Sequence, residues 1–322
     1  MSAPNVYAVS GEMQDQLQSW RSQLTDLASE DYLDEQRYED AATIAQAFLT
    51  RSCTSAINGV AQDLSANPVL IHGIPVADDC NDLADRINNL LLIGILASAG
   101  LEVFSYHEQN AGQIVQDVIP IPGKEDANSS ASRVPLGWHT DDAVIQRNYR
   151  AEGIALLCVN NDAGSRTYFV NINDIIGRLG QRTVTILTEP RFRFATPESF
   201  NIFGGKIVYS ELRPILTLQQ GSLYEVACAE YSTIASRTDE DALSALHRLR
   251  STLADDGGTS PLLQPGDCFV FSNVGGLHSR DAIVGRRHLK RAYFRRNLGN
   301  LRALASADDN ARVFNCQDFI LL

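Results

Sequence analysis

The stretch that most restricts the fold lies near the end of the chain. After a Pro265-Gly266-Asp267 turn, Cys268-Phe269-Val270-Phe271-Ser272-Asn273 reads as a buried strand, and Gly275-Gly276-Leu277-His278-Ser279-Arg280 follows it. Nine residues past His278 begins Arg287-His288-Leu289-Lys290-Arg291-Ala292-Tyr293-Phe294-Arg295-Arg296. If that segment is a strand, Arg287 and Arg291 share a face, because four residues make two periods of the pleat. Two guanidinium groups aimed into a barrel would each cost on the order of several kcal/mol unless anions meet them. A carboxylate ligand meets that need, since the guanidinium fork matches it at two points. The alternative is a solvated basic edge strand.

Earlier in the chain, Leu136-Gly137-Trp138-His139-Thr140-Asp141-Asp142 is the only place where a histidine has a carboxylate two residues downstream. In an extended segment, side chains at i and i+2 leave the same face, so His139 and Asp141 point at one object and Thr140 turns away. Imidazole plus carboxylate, completed by His278, is the facial triad that holds non-haem Fe(II) and leaves positions open for chemistry. The bland alternative is a surface histidine beside an acid.

The order His-x-Asp, distal His, then an Arg with a second Arg four residues on resembles the Fe(II)/2-oxoglutarate dioxygenases, and within them the clavaminate synthase-like group that includes arginine β-hydroxylases. The similarity extends to Gln109-Asn110-Ala111-Gly112-Gln113-Ile114-Val115-Gln116-Asp117-Val118, to Ser129-Ser130-Ala131-Ser132-Arg133-Val134 and to Tyr149-Arg150-Ala151, and covers roughly residues 65 to 298. One departure is the acidic ligand. The subgroup commonly carries Glu, and Asp141 is one methylene shorter, as in the wider superfamily.

The resemblance implies a mainly β chain with flanking helices, a double-stranded β-helix or jelly roll, using Fe(II), 2-oxoglutarate and O2. It implies that 2-oxoglutarate chelates the metal held by His139, Asp141 and His278, with Arg287 on its distal carboxylate and Thr167 and Ser129 beside it. Oxidative decarboxylation to succinate and CO2 then drives hydrogen abstraction from an unactivated C–H bond. The expected substrate is a free L-α-amino acid with a long polar or basic, arginine-like side chain, hydroxylated at C3 or C4. Arg291, one double step from Arg287, is placed to receive its carboxylate; Gln109 and Asp141 face its ammonium group; Glu225 or Glu230 pairs with the far end. Neutral, peptide-like or carrier-tethered amino acids stay open as alternatives.

Taken in order, the first 64 residues read as an amphipathic helical layer, with Met13, Leu17, Trp20, Leu24 and Leu27, then Tyr38, Ala41, Ala45, Phe48 and Leu49, recurring at steps of three and four. Val69 to Val76 reads as a strand closed by a turn, with His72 as a core histidine lacking any carboxylate at ligand spacing. A helix from about Leu83 to Ala99 stops at Gly100. Gln109 to Pro120, Val134 to Asp142, Ile154 to Val159 and Thr167 to Val170 have strand character. Further strands are expected at Val184 to Leu187, Arg191 to Ala195, Lys206 to Tyr209 and Ile215 to Thr217, and a helix opens near Thr238-Asp239-Glu240-Asp241. No repeat or linker divides the chain, so the reading is one domain: a helical layer (1–64), a jelly-roll core (65–298) and a C-terminal extension (299–322).

Composition excludes some partners. A net charge of -12 argues against nucleic acid and against an anionic membrane surface, and suits a cationic or zwitterionic small molecule. The six cysteines are far apart and form no Cys-x-x-Cys pair, which suggests a reducing cytoplasm. The longest apolar run, Leu90 to Ala99, is too short to span a bilayer. Nothing in the sequence assigns an oligomeric state. Two rival classes use the same residues: a cupin-type metal hydrolase or isomerase, which has no reason to bury Arg287, and a non-catalytic binding barrel. An iron halogenase on this fold would lack the carboxylate ligand, and Asp141 argues against it.

Overall fold

The computed structural model describes residues 3–9, 17–28, 35–77, 81–127, 129–197 and 206–320. Its spine is a sheet whose strands run in the order Asn5–Ala8, Val69–His72, Cys268–Ser272, Gly153–Asn160, His288–Arg295, Glu102–Tyr106 and Val313–Phe314, with Val115–Val118 also paired to His288–Arg295. The outermost pairs are parallel and the central ones antiparallel. A smaller antiparallel sheet joins Leu136–His139, Gly276–Arg280 and Thr167–Asn171.

Strand alternation sorts the side chains of the spine into two cores. On Cys268–Ser272, Phe269 and Phe271 enter one cluster while Cys268 and Val270 enter another; on Gly153–Asn160, Ile154, Leu156 and Cys158 part from Ala155 and Leu157 in the same way. The second cluster is roofed by helices Glu35–Phe48, Arg51–Gln62 and Asp82–Ser98, whose residues Leu90 to Leu96 are buried all round because sheet lies on one side and helices on the other. The first cluster lies under the smaller sheet and takes in Phe314 and Phe319 from the C-terminal segment, where Phe319 stacks on Tyr149 at 5.0 Å.

Helix makes up more of the chain than a mainly β description allows. Eight α-helices occur among the described residues, alongside the mixed sheets. The stretch Val184 to Leu187, expected as a strand, is the end of helix Gln181–Leu187, which packs with helix Glu240–Asp256. Lys206 to Tyr209 forms only a bridge, from Tyr209 to Ala195. Helix Glu240–Asp256 opens as expected, with Asp239 as the cap accepting from the Ala242 N–H. In the N-terminal layer Leu24 is buried as expected, whereas Met13 and the Trp20 side chain lie outside the described residues.

His72 does have a carboxylate partner: its Nδ1 lies 2.7 Å from Asp267 Oδ1, brought up by the Pro265-Gly266-Asp267 turn. On the outer face of strand His288–Arg295, the fully buried Lys290 ammonium pairs with Asp85 and, at 2.7 Å, with Asp117, which His288 also contacts. These groups have metal-ligand spacing, but Lys290 already supplies the cation. No helix among the described residues is long and apolar enough to cross a membrane.

Candidate active site

Three ligand-bearing residues meet between the sheets. His139 closes strand Leu136–His139 and lies directly opposite His278 on Gly276–Arg280. Their rings are 4.0 Å apart. Asp141 joins them differently from the expected continuous strand, because the chain turns at Thr140, whose amide and hydroxyl are tied to the Cys228 backbone. Asn273 then brackets Asp141, accepting from its N–H at 2.8 Å and donating to its carbonyl at 3.1 Å. The next residue, Asp142, is held at φ 56°, a left-handed conformation that a non-glycine residue keeps only when its surroundings impose it.

Asp141 Oδ1 lies 3.3 Å from His139 Nε2 and 3.6 Å from His278 Nε2. Two ligands at about 2.1 Å from one metal and at right angles are about 3 Å apart, so the three atoms already stand close to the spacing an ion requires. The tautomer also fits. His139 Nδ1 is 2.8 Å from the Gly137 carbonyl, which can only accept, so Nδ1 carries the proton and Nε2 keeps its lone pair for a metal.

The electrostatics suit a cation. Burial, reinforced by His139, pushes His278 down to about 3, so its ring is neutral at physiological pH. Burial alone would raise Asp141, but Arg291 and the two histidines overcome it and hold this carboxyl well below the usual range. Its outer oxygen, Oδ2, accepts from Arg291 Nη1 at 2.9 Å and from the Tyr293 hydroxyl at 2.8 Å. Asp142 goes the other way: burial and the neighbouring Asp141 raise it. Gln109 Nε2 donates to Asp142 Oδ1 at 2.7 Å, while Oδ2 is buried with no partner.

Two cavities open from the triad. The larger, about 210 Å³, is lined by Gln109, Asp141, Asp142, Glu230 and Arg291, with the exposed Ile207, Tyr209 and Tyr231 at its rim. The smaller, about 40 Å³, runs from His139 and His278 between Leu156 and Leu289 to Thr167 and Arg287. Arg287 is 3% exposed. Its Nη2 donates to Thr167 Oγ1 at 3.0 Å, and its Nε and Nη1 have no partner. Burial, then repulsion from Arg280, lowers Arg287 to about 9. A guanidinium so placed is costly without an anion, and the chamber leads from it to the triad.

Residues 67–293 match the family described as taurine catabolism dioxygenase TauD, TfdA family. The chain belongs to this family. Among curated relatives of this TauD/TfdA member, the L-asparagine oxygenase of Streptomyces coelicolor is 28% identical over 255 residues, spanning 75% of this chain and 72% of that protein. The L-ornithine/L-arginine 3-hydroxylase of Catenulispora acidiphila is 25% identical over 261 residues, spanning 73% and 75%. A crystal structure of asparagine oxygenase with Fe(II), 2S,3S-3-hydroxyasparagine and succinate superposes with a TM-score of 0.82 at 21% identity, covering 96% of this chain and 99% of that one. The TauD/TfdA chain described here is accordingly an Fe(II)- and 2-oxoglutarate-dependent dioxygenase that consumes O2.

Within this dioxygenase the structure gathers most of the expected residues. His139, Asp141 and His278 converge; Arg287 and Thr167 touch; Gln109, Arg291 and Glu230 line the larger cavity. Glu230 reaches that wall because Gly137 has no side chain: a Cβ there would lie 2.3 Å from Glu230 Oε2. Ser129 lines the larger cavity, while Ser130 lines both. Glu225 is placed elsewhere, beside Arg147 and Gln219 in a separate cleft. Arg291 already serves Asp141 and Gln116, the latter at 2.6 Å, rather than standing free for a ligand. Asn273, Gln116, Tyr293 and the orphaned oxygen of Asp142 were not foreseen. Of these, only Asp142 had a local signal, as the second acid of Thr140-Asp141-Asp142.

Proposed function

We propose that the chain hydroxylates a free L-α-amino acid with a long polar, basic side chain at C3 or C4, as one dioxygenase domain built on a double-stranded β-helix. The N-terminal part (1–64) would give strand Asn5–Ala8 to the edge of the large sheet and back that sheet with helices, the core (65–298) would hold the reaction, and the extension (299–322) would seal the inner cluster. The two facing sheets with the triad between them support this reading of the architecture.

The observation that carries the mechanism is the buried guanidinium of Arg287, with two unpartnered nitrogens, lining the same chamber as the two histidines. His139, Asp141 and His278 would hold Fe(II), and Arg287 with Thr167 would take the far carboxylate of 2-oxoglutarate by charge-assisted bonds. Ser129, with Ser130, would close the wall between co-substrate and substrate. Bound there, iron with 2-oxoglutarate and O2 supplies the oxidising equivalents that place a hydroxyl on a C–H bond. The protein's own task is to orient the substrate and keep the cavity dry.

For that task the substrate ammonium group would sit against Asp142 Oδ2, a buried oxygen of the cavity wall without a partner, with Gln109 fixing the other oxygen; a cation there would offset the burial and the Asp141 charge that raise Asp142. The substrate carboxylate would take the second hydrogens of Arg291 Nη1 and Nη2, the first being given to Asp141 and Gln116. Glu230, whose Oε2 accepts from the Trp138 N–H, would face a cationic side-chain end. Glu225 drops out of the substrate assignment because Arg147 already neutralises it. With one acid at the far wall, an amino acid carrying a single cationic group fits best; one relative oxidises asparagine, so the test must include amides.

The deciding experiment supplies Fe(II), 2-oxoglutarate and O2 with a panel of free amino acids and reads succinate formed together with product mass. A gain of 16 mass units on arginine, ornithine, lysine or citrulline is expected, about one oxygen atom per succinate. If these all fail while asparagine, an N-acylated or a carrier-bound substrate succeeds, the substrate assignment is wrong even though the dioxygenase chemistry stands.

A further inference from the structure

The small chamber contains more positive charge than one carboxylate anchor accounts for. Arg280, the last residue of strand Gly276–Arg280, lines it together with Arg287. In register it lies opposite Thr167, the same residue whose hydroxyl accepts from Arg287. One nitrogen of the Arg280 guanidinium is fixed: Nη2 donates to Ser132 Oγ and to the Val134 carbonyl, each at 3.1 Å. The other two are bare. Nε and Nη1 of Arg280 are buried with no partner, the same two nitrogens that lack partners on Arg287.

Both side chains are almost fully withdrawn from water, at 6% and 3% exposure. Among the described residues neither forms an ion pair. Asp281, the carboxylate whose field reaches both, is turned outward to accept from the Tyr168 hydroxyl at 3.0 Å and the Arg166 N–H at 3.0 Å. Ser132 and Val134 belong to the loop before the His139 strand, so the contacts that fix Arg280 come from the same segment that delivers a triad residue.

We infer that Arg280 is a second anchor for the far carboxylate of 2-oxoglutarate, which would be held between two guanidinium groups and the Thr167 hydroxyl. A carboxylate has two oxygens and about four lone-pair sites, enough to receive one bond from each arginine and one from the Thr167 hydroxyl. One anion shared by two cations also relieves the repulsion between Arg280 and Arg287. The consequence is co-substrate selectivity: the chamber favours a 2-oxo acid carrying a second carboxylate at this length over the same chain ending in a methyl group. This inference rests on reading the chamber as the co-substrate site.

The test separates the two ideas. In oxygen-free, Fe(II)-loaded protein, the visible charge-transfer band reports chelation of a 2-oxo acid whatever lies at its far end, so 2-oxoglutarate and 2-oxopentanoate are titrated in parallel. Arg280→Met is expected to raise the dissociation constant for 2-oxoglutarate by about 10-fold or more, the loss typical of a hydrogen bond to a charged group, and that for 2-oxopentanoate by less than about 2-fold. Arg280→Lys, which keeps the charge but not the fork, should fall between.

Equal weakening of both acids by Arg280→Met, or no weakening of either, overturns the inference and leaves Arg280 a structural brace for residues 132–134. Should Arg280→Met fail to fold, Arg280→Lys decides alone by the same criterion: a selective loss supports the anchor, and an equal or absent loss overturns it. Arg287→Met in the same assay controls the underlying reading. If Arg287→Met is selective and Arg280→Met is not, only the Arg280 assignment falls; if Arg287→Met leaves 2-oxoglutarate binding intact, the chamber is not the co-substrate site.

Discussion

Tyr293→Phe removes one oxygen atom and leaves the rest of the site in place. The ring keeps its contacts with Phe104, at 6.3 Å between centroids, and with the Arg291 guanidinium, 4.9 Å above it, so no cavity forms. What is lost is the 2.8 Å bond from the hydroxyl to Asp141 Oδ2. Two effects then compete. Without the donor the carboxylate is slightly more basic, which favours a metal; without the donor it is also free to rotate away, because only Arg291 still holds Oδ2. An aspartate arm is short and must present Oδ1 to both histidines within a few tenths of an ångström, so loss of orientation dominates. Outer-shell partners of metal ligands commonly contribute about 10- to 100-fold in affinity, or about 1.4 to 2.8 kcal/mol, and Tyr293 is one of two partners of Asp141 Oδ2, the proposed ligand's outer oxygen. Fe(II) affinity should therefore fall by about 10-fold, measured without oxygen by competition against a chromogenic chelator, while the melting temperature of the metal-free protein changes little. An unchanged or tighter dissociation constant would refute the argument and identify the hydroxyl as a drain on ligand charge rather than a clamp.

Three further outcomes are expected. His139→Ala and His278→Ala should each abolish the 2-oxoglutarate-dependent charge-transfer band in oxygen-free protein loaded with Fe(II); an undiminished band in either variant removes that residue from the triad. Because His278 is pushed down to about 3 in the folded chain and titrates near 6.5 when unfolded, the unfolded state binds the extra proton between those values. The metal-free protein should thus lose stability as pH falls from about 6.5 toward 3, by up to about 4 kcal/mol, and His278→Gln should flatten that slope in denaturant titrations across the window. Gly153→Ala would put a Cβ 2.1 Å from the Phe294 ring on the neighbouring strand, and overpacking of this kind should cost about 1 to 3 kcal/mol in urea titrations without changing the metal affinity of folded protein.

The chemistry was legible in the sequence wherever it depended on short spacing within a strand. His139 and His278 face each other across paired strands and Arg287 and Arg291 line one chamber, as expected, but Asp141 reaches the triad from the turn beyond its strand and Arg287 lies one residue before its strand begins. Sequence spacing does not reveal partners that arrive from distant segments. Asn273 grips Asp141 from 132 residues away, and Asp267 meets His72 across 195. Glu225 and Glu230 are alike in sequence, and only Arg147 beside one and Gly137 beneath the other assign them different surroundings. Val184 to Leu187 has the β-branched composition of a strand, yet Gly180 at φ 81° starts a new helix there, and burial of Val184 and Leu187 against neighbouring helices outweighs their local preference. The size of the helical share was missed because helices Ile172–Leu179, Gln181–Leu187 and Gly299–Ala305 make only about two turns each, too few for a helical period to stand out.

Strand His288–Arg295 is committed on both faces, to Arg291 and Tyr293 within the site and to Lys290, Ala292 and Phe294 against the helical layer. The opposite rim of the larger cavity is not so bound: Ile207 is 55% exposed, Tyr209 43% and Tyr231 62%. A substitution on the strand would disturb the partners of Asp141, the proposed metal ligand, or a packed core, whereas one on the rim touches neither. The enzyme thus sets a constrained wall opposite an open one, so that changes at these three rim positions are the ones expected to alter which substrates enter while leaving the buried machinery intact.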